Sequence, residues 1–106
     1  MDRAAYVARV LHLYRKLPGA LDRVLRDDRR TASDLHRRGI PIALVEDAFI
    51  LTTARRAGPK DQPLDPIRVL RYILPVIEEL RSAPPMPEYI RYLESRVREE
   101  RLFSLE

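Results

Sequence analysis

Proline placement constrains this 106-residue chain more than any other feature. Nine prolines stand at positions 18, 41, 59, 63, 66, 75, 84, 85 and 87, and only Pro75 interrupts an apolar-periodic stretch. Proline lacks an amide hydrogen and its ring clashes with the preceding helical turn, so helices start at it or stop before it. Together with the glycines at 19, 39 and 58, the prolines divide the chain into five stretches with helical spacing and few strand signals. The expected fold is a single all-α domain, an irregular bundle of about five helices with a helix-turn-helix-like corner.

The first helix is expected from Asp2 to Lys16, with Tyr6, Val10, Leu13 and Leu17 on one face and Pro18-Gly19 as its stop. A second helical region covers 20–38. Its polar stretch from Arg26 to Ser33 is a breakpoint, with a helix restarting near Asp27 or Asp28, whose charges suit a helix N-terminus. Gly39 closes it. The third helix starts at Pro41 and reaches Ala57; its wide apolar arc makes it the central helix. The fourth is expected from Asp65 as N-cap, with Pro66 at its first position, to Ser82. Pro75 should kink it near Arg71. The fifth follows the rigid SAPPMP linker, starts at Pro87 and carries Ile90, Leu93 and Val97 on a narrow face. Leu44, Val45, Phe49, Leu70, Ile73 and Ile77 are the expected shared core.

The chain has no cysteine, which removes disulfides, thiolate zinc sites and thiol nucleophiles and fits a reducing, cytoplasmic setting. The N-terminus is charged and amphipathic rather than a signal sequence, and the longest apolar runs, IPIALV and ILPVI, are far too short for a membrane span. The two histidines, His12 and His36, have no partner at ligand spacing, since Asp34 and His36 point to different helix faces. The carboxylate pairs Asp27-Asp28, Glu46-Asp47, Glu78-Glu79 and Glu99-Glu100 diverge around their helices. There is no glycine-rich phosphate loop and no nucleophile elbow. The expectation is a protein that is not an enzyme and uses neither metal nor cofactor.

Charge is more informative. The net is +4, and of 20 basic residues only Lys16 and Lys60 are lysine. Residues 1–60 carry a net +6 and residues 61–106 a net −2, which points to a basic face in the first half. Guanidinium groups pair bidentately with phosphate. The expected nucleic-acid-contacting residues are Arg26, Arg29, Arg30, Arg37 and Arg38 around the second region, with Arg55, Arg56 and Lys60 at the end of the third helix and in the loop after it. The helix-turn-helix-like spacing of LHRRGIPIALVEDA adds no base reader, because Ile42, Ala43, Glu46 and Asp47 occupy the first turns of its second helix. The other expected surface is on the fifth helix at Tyr89, Ile90, Leu93 and Val97, whose narrow apolar face either folds back on the bundle or forms an interface, for a larger partner or for a second copy in a homodimer.

The order of these segments, a polar helix, the RGIP turn, an apolar helix, a loop and then PIRVLRYILPVIEEL, resembles the helical domain of DnaD-like replication-initiation proteins over residues 27–82. The run Tyr72-Ile73-Leu74-Pro75-Val76-Ile77 corresponds to that family's Tyr-Ile-containing helix, with Pro75 a departure from its pattern. The chain is also similar to small bacterial proteins from replication or mobile-element contexts. The resemblance implies accessory work on DNA beside a larger enzyme. Composition and motifs alone leave two functions: a nucleic-acid-binding accessory protein, or an adaptor subunit without nucleic-acid contact.

Overall fold

A computed structural model describes residues 1–59 and 62–106 of the chain. Among the described residues five α-helices form an all-α bundle: α1 (Arg3–Lys16), α2 (Arg26–Arg37), α3 (Ile42–Arg56), α4 (Leu74–Ser82) and α5 (Pro87–Glu99). A single 3-10 turn, Leu70–Ile73, leads directly into α4. Helix α1 packs on both α2 and α3, and α3 is covered on its other sides by α4 and α5. The core is therefore threaded by α3, whose Val45, Ala48, Phe49 and Ile50 are almost fully buried. Leu44, expected in the core, is only half-buried.

Local chemistry explains the boundaries. Asp2 caps α1 by accepting the amide of Ala5 at 2.8 Å, one of the amides a helix start leaves unpaired. Gly39 ends the α2 corner with φ of +73°, a left-handed conformation that glycine adopts without Cβ strain. The amide of Ile40 then returns to the carbonyl of Leu35 at 3.1 Å. The Tyr6 hydroxyl donates to the Ile40 carbonyl at 2.8 Å, pinning the turn to α1.

The two stretches expected to be helical at 20–25 and 65–69 are irregular rather than helical. Ala20 and Ile67 form a parallel bridge, in which the Ile67 amide donates to Gly19 at 2.8 Å and the Leu21 amide to Ile67 at 3.2 Å. Gly19 has φ of +86°, and an added Cβ would meet the Arg56 guanidinium at 2.8 Å. The polar stretch from Arg26 onward is helix α2 itself, and the break precedes it. Pro75 does not kink a long helix. It lies in the first turn of α4, where a missing amide costs no hydrogen bond.

Asp28 explains why α2 begins where it does. Its side chain is 1% exposed. One carboxylate oxygen accepts the Leu25 amide, capping α2, and the other accepts the Leu70 amide across 42 residues, capping the 3-10 turn, each at 2.9 Å. Beside it, Asp27 holds Arg71 at 2.8 Å. The buried face of α2, formed by Asp28, Thr31, Ala32 and Leu35, is thus fastened at its N-terminal end by a charge and along its length by apolar packing.

Helix α5 lies on α3. Ile90, Leu93 and Val97 are 7, 8 and 2% exposed, so the apolar face expected to meet another chain is covered within this one. The chain then turns at Arg101, which has φ of +59°, and Phe103 stacks on Phe49 with ring centroids 6.2 Å apart. The following residues lie on α1: Arg9 donates to the Leu105 carbonyl at 2.6 Å and Lys16 to the Glu106 carbonyl at 2.5 Å. No helix among the described residues is long and apolar enough to cross a membrane.

Candidate nucleic-acid interface

Helical geometry sorts the arginines of α2. With a turn every 3.6 residues, Arg26, Arg30 and Arg37 fall on one line opposite the buried face, and Arg29 lies beside them. All four are exposed. Arg37 has a local partner, Asp34, at 3.0 Å. Arg26, Arg29 and Arg30 have no carboxylate partner among the described residues. The two acids of the first turn are unavailable to them, because Asp28 faces inward on two amides and Asp27 is drawn to Arg71.

The remaining expected contacts are placed differently. Arg38 donates to Glu78 on α4 at 2.5 Å, and Arg81 shares that carboxylate at 3.2 Å. Arg55 makes two bonds to Glu79, at 2.7 and 2.5 Å. These hydrogen bonds hold the Glu78 and Glu79 carboxyls below their ordinary range and push Arg55 up. Arg56 donates to the Asp65 carbonyl and, at 3.3 Å, to the Tyr72 hydroxyl. Lys60 lies outside the described residues. The eight expected basic residues therefore divide into the α2 face and a neutralised seam between α4 and its neighbours. Arg23 and Arg68 are exposed without a carboxylate partner among the described residues. The Ala20–Ile67 bridge brings the segment carrying Arg68 beside the one leading into α2. Only that long-range pairing links Arg68 to the basic run, so nothing local in the sequence marks it.

The corner between α2 and α3 presents acid rather than base readers. Glu46 is bound by Arg9 at 2.8 Å. Burial, then the nearby Glu46 and Glu94, push the Asp47 carboxyl above its ordinary range. Of the two histidines, His12 lies 3.1 Å from the Glu106 carbonyl and His36 packs edge-on against Tyr6. Among the described residues no three side chains gather as metal ligands.

Two concavities flank these elements. One, of about 150 Å³, is polar and bordered by Thr31, Asp34, Arg37, Arg38 and Arg71. The other, of about 290 Å³, lies between the C-terminal turn of α3 and the start of α4. On α5, Tyr89 and Tyr92 remain exposed, with the Arg96 guanidinium 5.9 Å from the Tyr92 ring centroid. No family model, curated protein or solved structure matches the chain.

Proposed function

We propose that this protein is a non-enzymatic accessory factor that binds the phosphate backbone of DNA or RNA through the outer face of α2. The observation that carries the reading is the exposed set Arg26, Arg29 and Arg30, aligned with Arg37 and lacking carboxylate partners of their own. Arg26 is the first residue of α2, at the positive end of the helix dipole, where a cation is locally unfavourable. A residue that breaks a local rule without structural return fits a functional site. The face has phosphate-binding groups and no base-reading set, so binding is expected to show little sequence preference. The DnaD-like resemblance agrees with such a role and, in the same proposal, places it beside a larger replication or mobile-element enzyme.

The adaptor reading draws on a different observation, the exposed Met86, Tyr89 and Tyr92 around α5. A mobility-shift titration at two salt concentrations separates the two. Wild-type affinity for duplex DNA should fall with a log–log slope of about −3 to −4, near −0.9 for each of four phosphates. Changing Arg26, Arg29 and Arg30 to Glu should abolish the shift, and changing Arg91, Arg96 and Arg98 to Glu should weaken it less. No wild-type binding at low salt leaves the adaptor as the better account.

A further inference from the structure

We infer that the three exposed tyrosines, Tyr72, Tyr89 and Tyr92, form a stacking platform for the bases of single-stranded nucleic acid. Of the five tyrosines in the chain, Tyr6 and Tyr14 are buried, while Tyr72, Tyr89 and Tyr92 are 47, 47 and 59% exposed. Each exposed ring has an arginine beside it. The Arg56 guanidinium lies 5.5 Å from the Tyr72 ring centroid and donates to the Tyr72 hydroxyl at 3.3 Å. Arg96 lies 5.9 Å from the Tyr92 centroid. Tyr89 is near enough to Arg55 for the two to interact electrostatically. These contacts join into one path. Tyr72, Arg56 and Arg55 border the same cleft, with Pro75 and Val76. Arg55 reaches α4 through Glu79 and has Tyr89 of α5 near it. Tyr92 follows Tyr89 by three residues and Arg96 by four more, which keeps all three on one stripe of α5. The path crosses from the start of α4, over the end of α3, and along α5.

The pairing of ring with guanidinium selects the ligand. A nucleobase offers a flat π-face to a tyrosine, and the phosphate next to it offers oxygens to an arginine. A proline-rich peptide would use the rings and leave the guanidinium groups without an anionic partner. In a duplex the base faces are closed by their neighbours, so the platform takes single strands, whose bases can splay out onto the rings. Arg56 holds the Tyr72 ring before any strand arrives, which lowers the ordering cost of stacking. Arg55 and Arg96 each bond one glutamate, Glu79 and Glu100. Both pairs are exposed, so they hold the arginines weakly and a phosphate can take the place of either glutamate. Little net charge remains on this surface, and stacking supplies most of the expected affinity. The inference deepens the nucleic-acid reading, but it rests on residues apart from the α2 face.

The test uses the full chain and four probes: an oligothymidylate of about 12 nucleotides, within the range of single-strand sites, an abasic strand of the same length, a DNA duplex and a proline-rich peptide. Fluorescence anisotropy should show saturable binding of the oligothymidylate, with the abasic strand at least about fivefold weaker. In NMR spectra the ring protons of Tyr72 and Tyr92 should shift upfield as bases stack on them. Tyr72→Ala and Tyr92→Ala should each weaken the single strand about fivefold or more, the low end for one lost stack, and leave duplex affinity unchanged. Tyr92→Phe keeps the ring and should bind as wild type does. Changing Arg26, Arg29 and Arg30 to Glu should remove duplex binding and retain the ring shifts. A wild type that binds neither duplex nor single strand ends both readings, whereas one that binds duplex alone ends only this one. The proposal is also overturned by equal affinity for the abasic strand, by wild-type affinity in both folded alanine variants, or by a proline-rich peptide that binds at these tyrosines more tightly than the oligothymidylate.

Discussion

Arg38 and Arg55 each lie against α4 with a glutamate in hydrogen-bonding contact, while Arg26, Arg29 and Arg30 stand on α2 with no such partner among the described residues. The two groups have the same side chain and comparable exposure to solvent. They differ in what the fold sets opposite them. Glu78 and Glu79 are adjacent in sequence, point apart around α4, and reach α2 and α3 respectively, 40 and 24 residues back along the chain. The outer face of α2 has no helix across from it. Net charge in a sequence window therefore says little about which arginines keep their field; that is decided by acids brought in from elsewhere.

The α2 face exists only while its opposite side is anchored, so the largest expected effect comes from Asp28. Asp28→Ala leaves the Leu25 and Leu70 amides without their acceptor inside the protein. Hydrogen bonds to a charged group contribute about 1.5–3 kcal/mol each, so a loss of roughly 3–5 kcal/mol is expected, a large share of the stability of a domain this small. Asp28→Asn keeps one acceptor oxygen and should recover about half. Chemical denaturation followed by helical dichroism measures both. An Asp28→Ala protein as stable as wild type would show that α2 is held by its apolar contacts alone.

The next effect moves arginines from one group to the other. Glu78→Gln together with Glu79→Gln removes the charges that hold Arg38 and Arg55. Nucleic-acid affinity at low salt should rise several-fold, and the salt slope should steepen by up to about two phosphates. The melting temperature should hardly change, because exposed ion pairs contribute little. An unchanged slope would mean that the seam does not face the bound nucleic acid.

Acid should reproduce part of this effect. The folded-state carboxyls of Glu78 and Glu79 titrate below their ordinary value of 4.5. Their contribution to stability is complete above that value and is lost as pH falls through the lowered folded value. Asp47 runs the other way. Its carboxyl is raised from 3.8 by burial, so its ionisation disfavours the fold as pH rises through the raised value. Asp47→Asn should flatten the second limb, which denaturation across pH 3–6, on the order of the carboxylate range, follows, while the first limb should be slight because the Glu78 and Glu79 pairs are exposed.

Much of the fold is legible in the punctuation. Pro18-Gly19, Gly39 with Pro41, Gly58 and Pro87 mark real helix boundaries because each acts through its own backbone geometry. The stretch 65–73 misleads for an equally physical reason. Ile67, Leu70 and Ile73 are three apart, and a bridged loop segment followed by a 3-10 turn buries them as well as a helix would. What selects the observed form is the bridge from Ala20 and the Asp28 carboxylate, both distant in sequence. The apolar stripe of α5 is visible in the sequence, but periodicity cannot distinguish α3 from another chain as its partner. For the same reason, the basic run shows that cations are present and not which ones remain unpaired. Tyr72 and Arg56 give no local sign of their contact, because a guanidinium beside a ring is a property of the packed neighbourhood.

The smallest expected effect comes from an arginine that is also unpaired among the described residues but lies outside the α2 face. Arg101 follows α5 with φ of +59°, in the left-handed region, where an L side chain crowds the backbone and glycine does not. The chain turns there so that the Leu102 amide reaches the Val97 carbonyl at 2.8 Å, closing the helix end and letting Phe103 reach Phe49. Arg101→Gly relieves the crowding but gives the unfolded chain more freedom, leaving an expected gain of about 0.5–1 kcal/mol. Removing this cation should leave nucleic-acid affinity and its salt slope within error of wild type, because Arg101 lies outside the α2 face. If affinity falls instead, as it should for loss of an α2 arginine, the positive charge of the whole molecule drives binding. The contrast between the α2 face and the α4 seam then has no functional meaning. If affinity holds while the melting temperature rises, an unpaired charge matters only where the fold aligns it with others.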